Sequence, residues 1–550
     1  MREGFRDSFF GQQLRRVRRF RFLSYPEEQK GFKLPQKNQL ETPAVLTISI
    51  GDHELSDVPP ATPDEFLVDW NGPNDQDNPR NWSLVKKSSV TTSIMILTIT
   101  VYIGSAIWTP GIEAGAEFFG VSTTASSLGI SMFVVGYGIG PLFLCGITEI
   151  PFIGRTNPYI FSLAIFFILN ILTAIVNNFA GFLVLRFLAG FWGSPALATG
   201  GASLDDMFVP HKVAYAMGLW ELSAEAAPAL APIVASFAVQ YQGWRWAFWE
   251  MSIMSGVCLL GLCIWLPETS PDTILLRRAQ RLRLATGDHR YRSHSEVVQA
   301  SMSTREIFTE SLVRPLSMTF TEPIIIAINM YVGIIYAILY SFFESYPLVF
   351  QKGYGWSISK ASLPFAALLL GSFFGGIVYW TWNWRTIDKP FSKAAPPAIP
   401  ETRLPLSKYG AFCFPICILW FAWSSNRTHW IVPTLSGIPF TIGATLIFNP
   451  FLTYLPYAYP KYAASALASN DFFRSMLGAG MPVVAHPMFA KLGIAWGNTL
   501  LGLLTVLLIP IPFVLYRMGP WLRERSKLAT SGTVSIERTG ENTVTGQEDA

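Results

Sequence analysis

The chain has 550 residues, of which half are hydrophobic and only 14% charged, and its formal net charge is +4. An ordinary soluble domain carries about 25% charged residues, so globular cores alone cannot accommodate this composition. The basic residues lie between the apolar runs rather than on one amphipathic face, so nucleic acid is not an expected partner. Four of the five cysteines lie inside apolar runs, a pattern that indicates neither a disulfide framework nor a metal site.

Residues 1–87 form a polar segment before the first apolar run. We expect this segment to be cytoplasmic and largely disordered up to about Pro63, because it is basic and poor in apolar clusters. No cleavable signal peptide is recognisable in it, so the first apolar run is expected to direct membrane insertion itself.

Twelve apolar runs follow, each long enough to cross a hydrocarbon core of about 30 Å as a helix. Helices pair every backbone N–H and C=O within one segment, as hydrocarbon requires. The predicted spans are 88–109, 124–148, 157–177, 179–205, 213–239, 247–266, 322–350, 360–382, 408–425, 431–455, 463–491 and 493–517. This pattern predicts an all-α membrane protein with 12 transmembrane helices.

The spans fall into two six-helix halves, at 88–266 and 322–517, and a polar tail occupies 518–550. A cytoplasmic central loop, 267–321, separates the halves, which is a layout typical of transporters. Basic residues concentrate in the loops on the side of the N-terminus, and this places both termini in the cytoplasm. The loop stretch Leu275–Leu284 is arginine-rich and amphipathic, so it either lies on the anionic inner leaflet or forms a solvated helical linker. The sequon at Asn426 lies too close to the membrane for glycosylation to be predicted.

Ionisable side chains inside the spans are the strongest functional signals, since each is costly in hydrocarbon unless it faces a cavity or a partner. Glu221 and Glu225 in the fifth span are four residues apart and lie on one helical face. Two carboxylates in a low dielectric oppose each other's ionisation, which predicts a proton site or a charge partner for a cationic substrate. The structural alternative is that one of them pairs with a buried arginine. Arg186 in the fourth span is the natural candidate, and its own partner is expected from another helix.

The seventh span contributes most of the candidates for a substrate cavity. They are Asn329, Tyr336, Tyr340 and Glu344, together with Trp220 of the fifth span. Glu344 is expected near the outer end of its helix. The aromatic members have a plain alternative role as packing or lipid contacts.

Three further residues and two prolines complete the set inside the spans. Asp471 and Arg474 are three apart in the eleventh span and are expected to satisfy each other near its cytoplasmic end. His486 of the same span could titrate near neutrality, although a lone membrane histidine is more often only hydrogen-bonded. Pro228 and Pro232 fall on one face of the fifth span and predict a bend there.

Longer motifs point to a known family. The chain contains Val68-Asp69-Trp70, then Asp77-Asn78-Pro79-Arg80-Asn81-Trp82-Ser83, and in the fourth span Phe191-Trp192-Gly193-Ser194-Pro195-Ala196-Leu197-Ala198-Thr199-Gly200-Gly201. These stretches resemble the major facilitator superfamily and, more narrowly, the fungal twelve-helix drug:proton antiporters of the fluconazole, benomyl and caffeine resistance type. The resemblance extends over about residues 65–527.

The resemblance assigns roles to individual positions. Gly146, Glu149, Gly154 and Arg155 match the superfamily's loop motif between the second and third spans, which implies a charged latch for the inward-closed state. Arg186 matches the fourth-span motif, whose arginine is implicated in proton coupling. The fifth span departs from the pattern, because alanines at 227, 229 and 231 stand around its prolines where antiporters typically have glycines.

The resemblance implies proton-coupled efflux of drugs, toxins or other small apolar or weakly basic compounds across the fungal plasma membrane. The proton gradient would be the energy source and no other cofactor is expected. The expected partners are a small-molecule substrate and membrane lipid, and the expected state is a monomer. The nearest alternative is an exporter of an endogenous secondary metabolite encoded in a biosynthetic gene cluster.

Three other functions fit these residues less well. An importer or facilitator remains open because of the altered fifth span. A multi-span membrane enzyme, such as an acyltransferase, would need a cluster of His, Asp or Ser at one membrane face that the sequence does not contain. A non-transporting sensor would usually carry a longer soluble tail than this one.

Overall fold

The computed structural model describes residues 2–17, 25–28, 66–148, 150–301, 313–389, 400–526 and 528–529. Two short helices, α1 (Arg2–Asp7) and α2 (Phe9–Val17), begin the chain. The helices of the first half are α3 (Leu84–Ala106), α4 (Ile112–Phe119), α5 (Thr123–Ser126), α6 (Leu128–Thr148), α7 (Thr156–Ile175), α8 (Phe179–Ala198), α9 (Gly200–Met207), α10 (Pro210–Gln242) and α11 (Arg245–Trp265).

The central loop contains α12 (Pro271–Thr286) and α13 (His294–Ser301). The second half consists of α14 (Arg314–Thr321), α15 (Pro323–Pro347), α16 (Ile358–Ser362), α17 (Ala366–Asn383), α18 (Pro405–Ser424), α19 (Ile431–Leu435), α20 (Gly437–Ala458), α21 (Ala463–Leu508) and α22 (Pro510–Arg525). Two short strands, β1 (Leu67–Val68) and β2 (Arg292–Ser293), pair in parallel. Short 3₁₀ or π-helical turns occur at Pro26–Glu28, Pro79–Asn81, Thr109–Gly111, Leu348–Gly353, Leu363–Phe365, Trp384–Asp388, Pro400–Arg403 and Pro460–Tyr462.

Local sequence signals set several helix ends. The side chains of Ser83 and Ser270 accept hydrogen bonds from backbone N–H groups three residues on, and so cap α3 and α12. Gly120 and Gly287 end α4 and α12 in the left-handed conformation, with φ of 66° and 74°. Glycine adopts this conformation without the steric penalty of a Cβ atom.

Eleven helical stretches among the described residues are long and apolar enough to cross a membrane. The last of them, Ser465–Arg525, has 61 residues. At about 1.5 Å per residue it would be roughly 90 Å long, about three times the thickness of a hydrocarbon core. Within it, Gly493 has φ 74°, which interrupts the helix. Division at this glycine gives the segments 465–492 and 494–525, which correspond to the eleventh and twelfth predicted spans.

The helices pack within two halves, and several helix pairs join the halves. In the first half α6 packs along α8 and α7 along α11, whereas in the second half α15 packs along α21 and α18 along α20. The halves meet where α6 contacts α21 and α10 contacts α17. Most helix–helix contacts thus fall within one half or the other, as expected for two six-helix halves.

The polar segments around α12 form a folded unit. Leu275, Leu276 and Leu282 of α12 are buried, and the helix packs against β1 and the turn at Pro26–Glu28. Residues 2–17 and 25–28 of the N-terminal segment form short helices and a turn, whereas 18–24 and 29–65 lie outside the described residues, so a largely disordered segment stays a prediction. The stretch Leu275–Leu284 is helical, and the protein itself covers Leu275, Leu276 and Leu282, whereas Leu284 is exposed. The choice between the inner leaflet and a solvated linker stays a prediction.

A buried arginine holds this unit together. Arg278 is only 3% exposed, and its guanidinium donates to Asp75 at 2.7 Å and to Asp77 at 2.8 Å. Glu27 lies 3.3 Å from the same guanidinium. Because the three carboxylates come from the N-terminal segment, this ion cluster ties that segment to the loop between the halves. Sequence reasoning assigned Arg278 only to the basic loop.

Candidate functional site

A cavity lies between the two halves, with about 560 Å³ of space free of protein atoms, part of which opens to solvent. Its wall combines apolar and aromatic side chains with two carboxylates and one guanidinium. The lining residues are Tyr102, Glu221, Ala224, Glu225, Pro228, Ala229, Ile335, Tyr336, Leu339, Leu368, Phe440, Thr441, Ala444, Phe448 and Arg474. Both glutamates of α10 therefore face the same cavity, as their spacing of four indicated.

Glu225 makes a contact across the seam between the halves. The hydroxyl of Thr445 in α20 donates to Glu225 Oε2 at 2.6 Å. Glu225 Oε1 is buried and has no hydrogen-bond partner among the described residues. An acceptor without a donor is costly in a medium of low dielectric, and a proton or a cationic ligand would supply one.

The arginine of the cavity is already engaged by its own helix. Arg474 Nη2 lies 2.7 Å from Asp471 Oδ1, which confirms the predicted pair. The same guanidinium donates to the hydroxyl of Tyr102 in the first half at 3.2 Å. The predicted location near a cytoplasmic helix end is wrong, because Arg474 lines the cavity together with Glu225. The two glutamates form no ion pair within the described part of the chain, so the alternative of structural pairing with an arginine gains no support.

Arg186 is fully buried, but its described partners are not carboxylates. Its guanidinium donates to the backbone carbonyls of Gly129 at 2.8 Å and Gly104 at 2.7 Å. The ring of Phe133 lies 4.5 Å from its Cζ atom. The charged partner expected from another helix is therefore replaced by carbonyl oxygens of α3 and α6 and by an aromatic face. These contacts join three helices of the first half.

Four tyrosines lie in or beside the cavity, and the sequence singled out only two of them. The hydroxyl of Tyr137 in α6 lies 2.5 Å from that of Tyr336 and 3.1 Å from that of Tyr340, both in α15. Tyr336 and Tyr340 were candidates from the sequence, whereas Tyr137 and Tyr102 were not. The sequence shows Tyr102 and Tyr137 only as polar hydroxyl groups within apolar runs, and such a pattern does not predict which helix each hydroxyl will contact.

Two other candidates for the cavity wall form hydrogen bonds between helices and do not line the cavity. Trp220 Nε1 donates to Thr98 of α3 at 2.8 Å. Asn329 Nδ2 donates to Ser469 of α21 at 3.0 Å, and its Oδ1 accepts from Asn470 at 2.9 Å. Neither Trp220 nor Asn329 is among the residues that line the cavity. Their polar groups join neighbouring helices.

Glu344 lies away from the cavity lining and beside the histidine of α21. Its Oε2 is 3.9 Å from His486 Nδ1, and the side chain is nearly buried. His486 Nε2 lies 3.0 Å from the hydroxyl of Thr123 in the first half. The histidine that sequence reasoning treated as isolated thus connects a carboxylate of one half with the other half.

Two of the predicted latch residues, Gly154 and Arg155, lie directly before α7. Arg155 Nε lies 2.5 Å from Asp206 Oδ2, and the backbone N–H of Arg155 donates to Glu268 at 2.9 Å. Gly154 has φ 75°, and a Cβ on it would collide with Glu268, so this position requires glycine. Gly146 lies near the end of α6, and Glu149 lies outside the described residues. A latching role of this loop stays a prediction.

The prolines of the fifth span lie inside one long helix. Pro228 and Pro232 both fall within α10, which runs unbroken from Pro210 to Gln242. Pro228 lines the cavity. Each proline removes one backbone donor from the helix ladder, which is where α10 can bend.

Comparison with known proteins decides the family. The model of the Major Facilitator Superfamily matches residues 94–482. The chain belongs to this superfamily. Among solved structures, the xylose transporter XylE from E. coli in a partially occluded inward-open conformation is similar with a TM-score of 0.55, covering 78% of this chain and 99% of that one. Its sequence identity is only 16%, so the likeness concerns the fold.

Similar sequences come from fungi and confirm the narrower resemblance. The cycloheximide resistance protein of Candida maltosa is 36% identical, covering 95% of this chain and 99% of that protein. Fluconazole resistance protein 1 of Saccharomyces cerevisiae is 37% identical, covering 84% and 85%. The ascochitine biosynthesis cluster MFS transporter of Didymella fabae is 35% identical, covering 85% and 90%.

Proposed function

We propose that the protein is a proton-coupled efflux transporter that exports drugs, toxins or other small apolar or weakly basic organic compounds across the fungal plasma membrane. The observation that carries the proposal is the cavity between the halves, where Glu221 and Glu225 face an otherwise largely apolar and aromatic wall. Apolar walls accommodate varied organic bodies, and a carboxylate selects for a positive charge. The drug-resistance names of two relatives support the same substrate class.

Coupling would follow from competition at Glu225. A proton on the carboxylate removes its charge and supplies the hydrogen that Oε1 lacks, and a bound compound would supply that hydrogen from an ammonium, hydroxyl or amide group. Both cannot do so at once. Thr445 belongs to the second half, so the charge on Glu225 also changes the bond between the halves. Rocking of the halves around this bond would give alternating access.

Other contacts indicate which side would be closed in this arrangement. At the end of the bundle opposite the termini, which we call the distal end, Gln240 of α10 accepts hydrogen bonds from the backbone N–H and hydroxyl of Ser359 at 2.9 and 2.8 Å. Thr123 meets His486 at the same end. If both termini are cytoplasmic, as we propose, these contacts close the outer end of the seam, while toward the cytoplasmic end Gly218 of α10 faces Tyr379 and Trp380 of α17.

The test is growth and accumulation in a fungal host. Deletion and overexpression strains are exposed to a toxin panel that includes cycloheximide and fluconazole, and intracellular compound is measured with and without a protonophore. Overexpression should lower accumulation, and the protonophore should abolish the difference. Equal accumulation in both strains for every compound would refute export of this class, whereas export that survives the protonophore would refute proton coupling.

Export of an endogenous secondary metabolite is the second candidate. Similarity to the transporter of the ascochitine cluster favours it. The two functions differ in the genes beside this one and in the compound that accumulates in a deletion strain. Retention of one of the host's own products, with unchanged sensitivity to the toxin panel, would favour the second function. In either case we propose a monomer that uses the proton gradient and no other cofactor.

A further inference from the structure

A second group of polar side chains lies at the distal end of the seam, apart from the cavity. Glu344, close to the end of α15, is 6% exposed. Its Oε2 lies 3.9 Å from His486 Nδ1, and its Oε1 is buried without a hydrogen-bond partner among the described residues. The other ring nitrogen of His486 meets the Thr123 hydroxyl of the opposite half at 3.0 Å. One imidazole thus links a buried carboxylate in the second half to a hydroxyl in the first.

We propose that Glu344 and His486 form a second proton-binding site, and that a proton bound there favours closure of the distal end. In the closed arrangement protein covers Glu344. A carboxylate buried beside a neutral imidazole would carry a net negative charge into a low dielectric, which is unfavourable. One proton shared by the pair cancels this charge. Closure is therefore linked to proton uptake, and the proton comes from water on the distal side.

The contact with Thr123 links protonation of the pair to the contact between the two halves. With the proton on the imidazole, Nδ1–H faces the carboxylate and Nε2–H donates to the hydroxyl of Thr123. Without that proton, only one ring nitrogen carries hydrogen, so the imidazole cannot donate to both partners. The protonated ring thus forms an ion pair with Glu344 and donates a hydrogen bond to Thr123, which stabilises the closed distal end.

Most other titratable groups on the neighbouring elements are exposed, hydrogen-bonded or farther from the distal end, namely Glu113, Lys352, Lys360, Lys491, Asp471, Arg474 and Tyr340. Tyr346, two residues beyond Glu344, is buried and its hydroxyl has no hydrogen-bond partner among the described residues, but a phenol does not ionise between about pH 5 and 8. Glu113 and Lys352 pair at 3.1 Å but are 62% and 60% exposed, so water screens their charges. Arg474 is paired with Asp471 deeper in α21. At the distal end of the seam, Glu344 and His486 are the described pair whose protonation changes the buried net charge.

The proposal rests on proton-coupled transport but can be tested without substrate. Full-length protein with its native cysteines replaced by alanine carries spin labels at Glu117→Cys and Lys360→Cys, two exposed distal positions on opposite halves. Electron–electron distance distributions in nanodiscs are recorded from about pH 8 to about pH 5, the range in which histidine titrates. The ratio of closed to open populations should rise with acidity, by up to about tenfold per pH unit for one linked proton.

Variants separate this site from other causes of pH dependence. Glu344→Gln should be closed at every pH, because the amide is neutral. His486→Gln should move the midpoint to lower pH, because the carboxylate must then bind the proton alone. Glu113→Gln, at the exposed pair, should respond like the wild type. Thr123→Val should favour the open state while the population ratio still responds to pH.

A wild-type ratio that does not change with pH, or a Glu344→Gln variant that responds like the wild type, would overturn the proposal. If Glu344→Gln does not fold, an unchanged midpoint in His486→Gln would overturn it equally. Failure of the proposed function is distinguishable, because it would show as missing compound export in cells, whereas the distance measurement contains no compound.

Discussion

Replacement of Glu225 by glutamine tests the central carboxylate with the smallest change in shape. The amide oxygen can still accept the hydrogen bond of Thr445, which spans 2.6 Å in the native arrangement. The amide cannot bind and release a proton in the physiological range. We therefore expect Glu225→Gln to fold and to bind apolar compounds, but to lose the proton that Glu225 carries in each cycle.

The expected loss of accumulation can be calculated for one carboxylate that carries one coupled proton. Each coupled proton contributes about 1.4 kcal/mol per pH unit of gradient. Across a gradient of about two units this is roughly 2.7 kcal/mol, which corresponds to about a hundredfold concentration ratio for an uncharged compound. If Glu225 carries the only coupled proton, the variant should reach a ratio near one.

The assay uses proteoliposomes with an imposed pH gradient and radiolabelled cycloheximide, with a protonophore as the baseline. Thr445→Val is the matched control, because it removes the donor to Glu225 Oε2 but leaves the carboxylate able to titrate. It should retain gradient-driven accumulation, with a changed affinity. Gradient-driven accumulation by Glu225→Gln equal to that of the wild type would remove Glu225 from the coupling mechanism.

Three further changes test contacts within and between the folded parts of the chain. Tyr137→Phe removes both hydroxyl contacts across the seam at a cost of about 1–3 kcal/mol, and should weaken the closed state in distance measurements; an unchanged distribution would contradict this. Gly190→Val places a Cβ against the backbone carbonyl of Phe133, so we expect a loss of about 1–3 kcal/mol, visible as a lower melting temperature. Arg278→Gln leaves three buried or half-buried carboxylates without their main cation, and should detach the N-terminal segment at a cost of about 3 kcal/mol, detected by limited proteolysis. The pH dependence has a defined sign: burial alone would raise the pKa of Asp75, but hydrogen bonds from Arg278 and backbone N–H groups hold it below its usual value. The stabilisation is therefore complete above the unfolded pKa of about 3.9 and lost as the pH falls through the lower folded pKa, and protease sensitivity that does not rise in that acid range would contradict the assignment.

The sequence alone was sufficient for the membrane architecture. In hydrocarbon a helix satisfies every backbone N–H and C=O group within one segment, so the lengths of the apolar runs predicted the spans. The polar loop at 267–321 predicted the division into two halves. The spacing of four between Glu221 and Glu225 predicted one shared face, because the helical period is a local property. The interruption of the helix at Gly493 falls at the predicted boundary between the spans 463–491 and 493–517, so it too was predictable from the sequence.

The partners of the buried polar groups depended on the tertiary structure. The rotation of each helix about its axis and the choice of neighbours result from the packing of all helices together. Arg186 therefore meets carbonyls of Gly104 and Gly129 rather than a carboxylate, and His486 meets Glu344 and Thr123 from other helices. For the same reason Asn329, a polar residue in an apolar run like those of the cavity, joins two helices instead. The sequence by itself determined which side chains are costly in hydrocarbon, and only the tertiary structure decided what compensates each of them, because compensation requires contacts between residues distant in the chain.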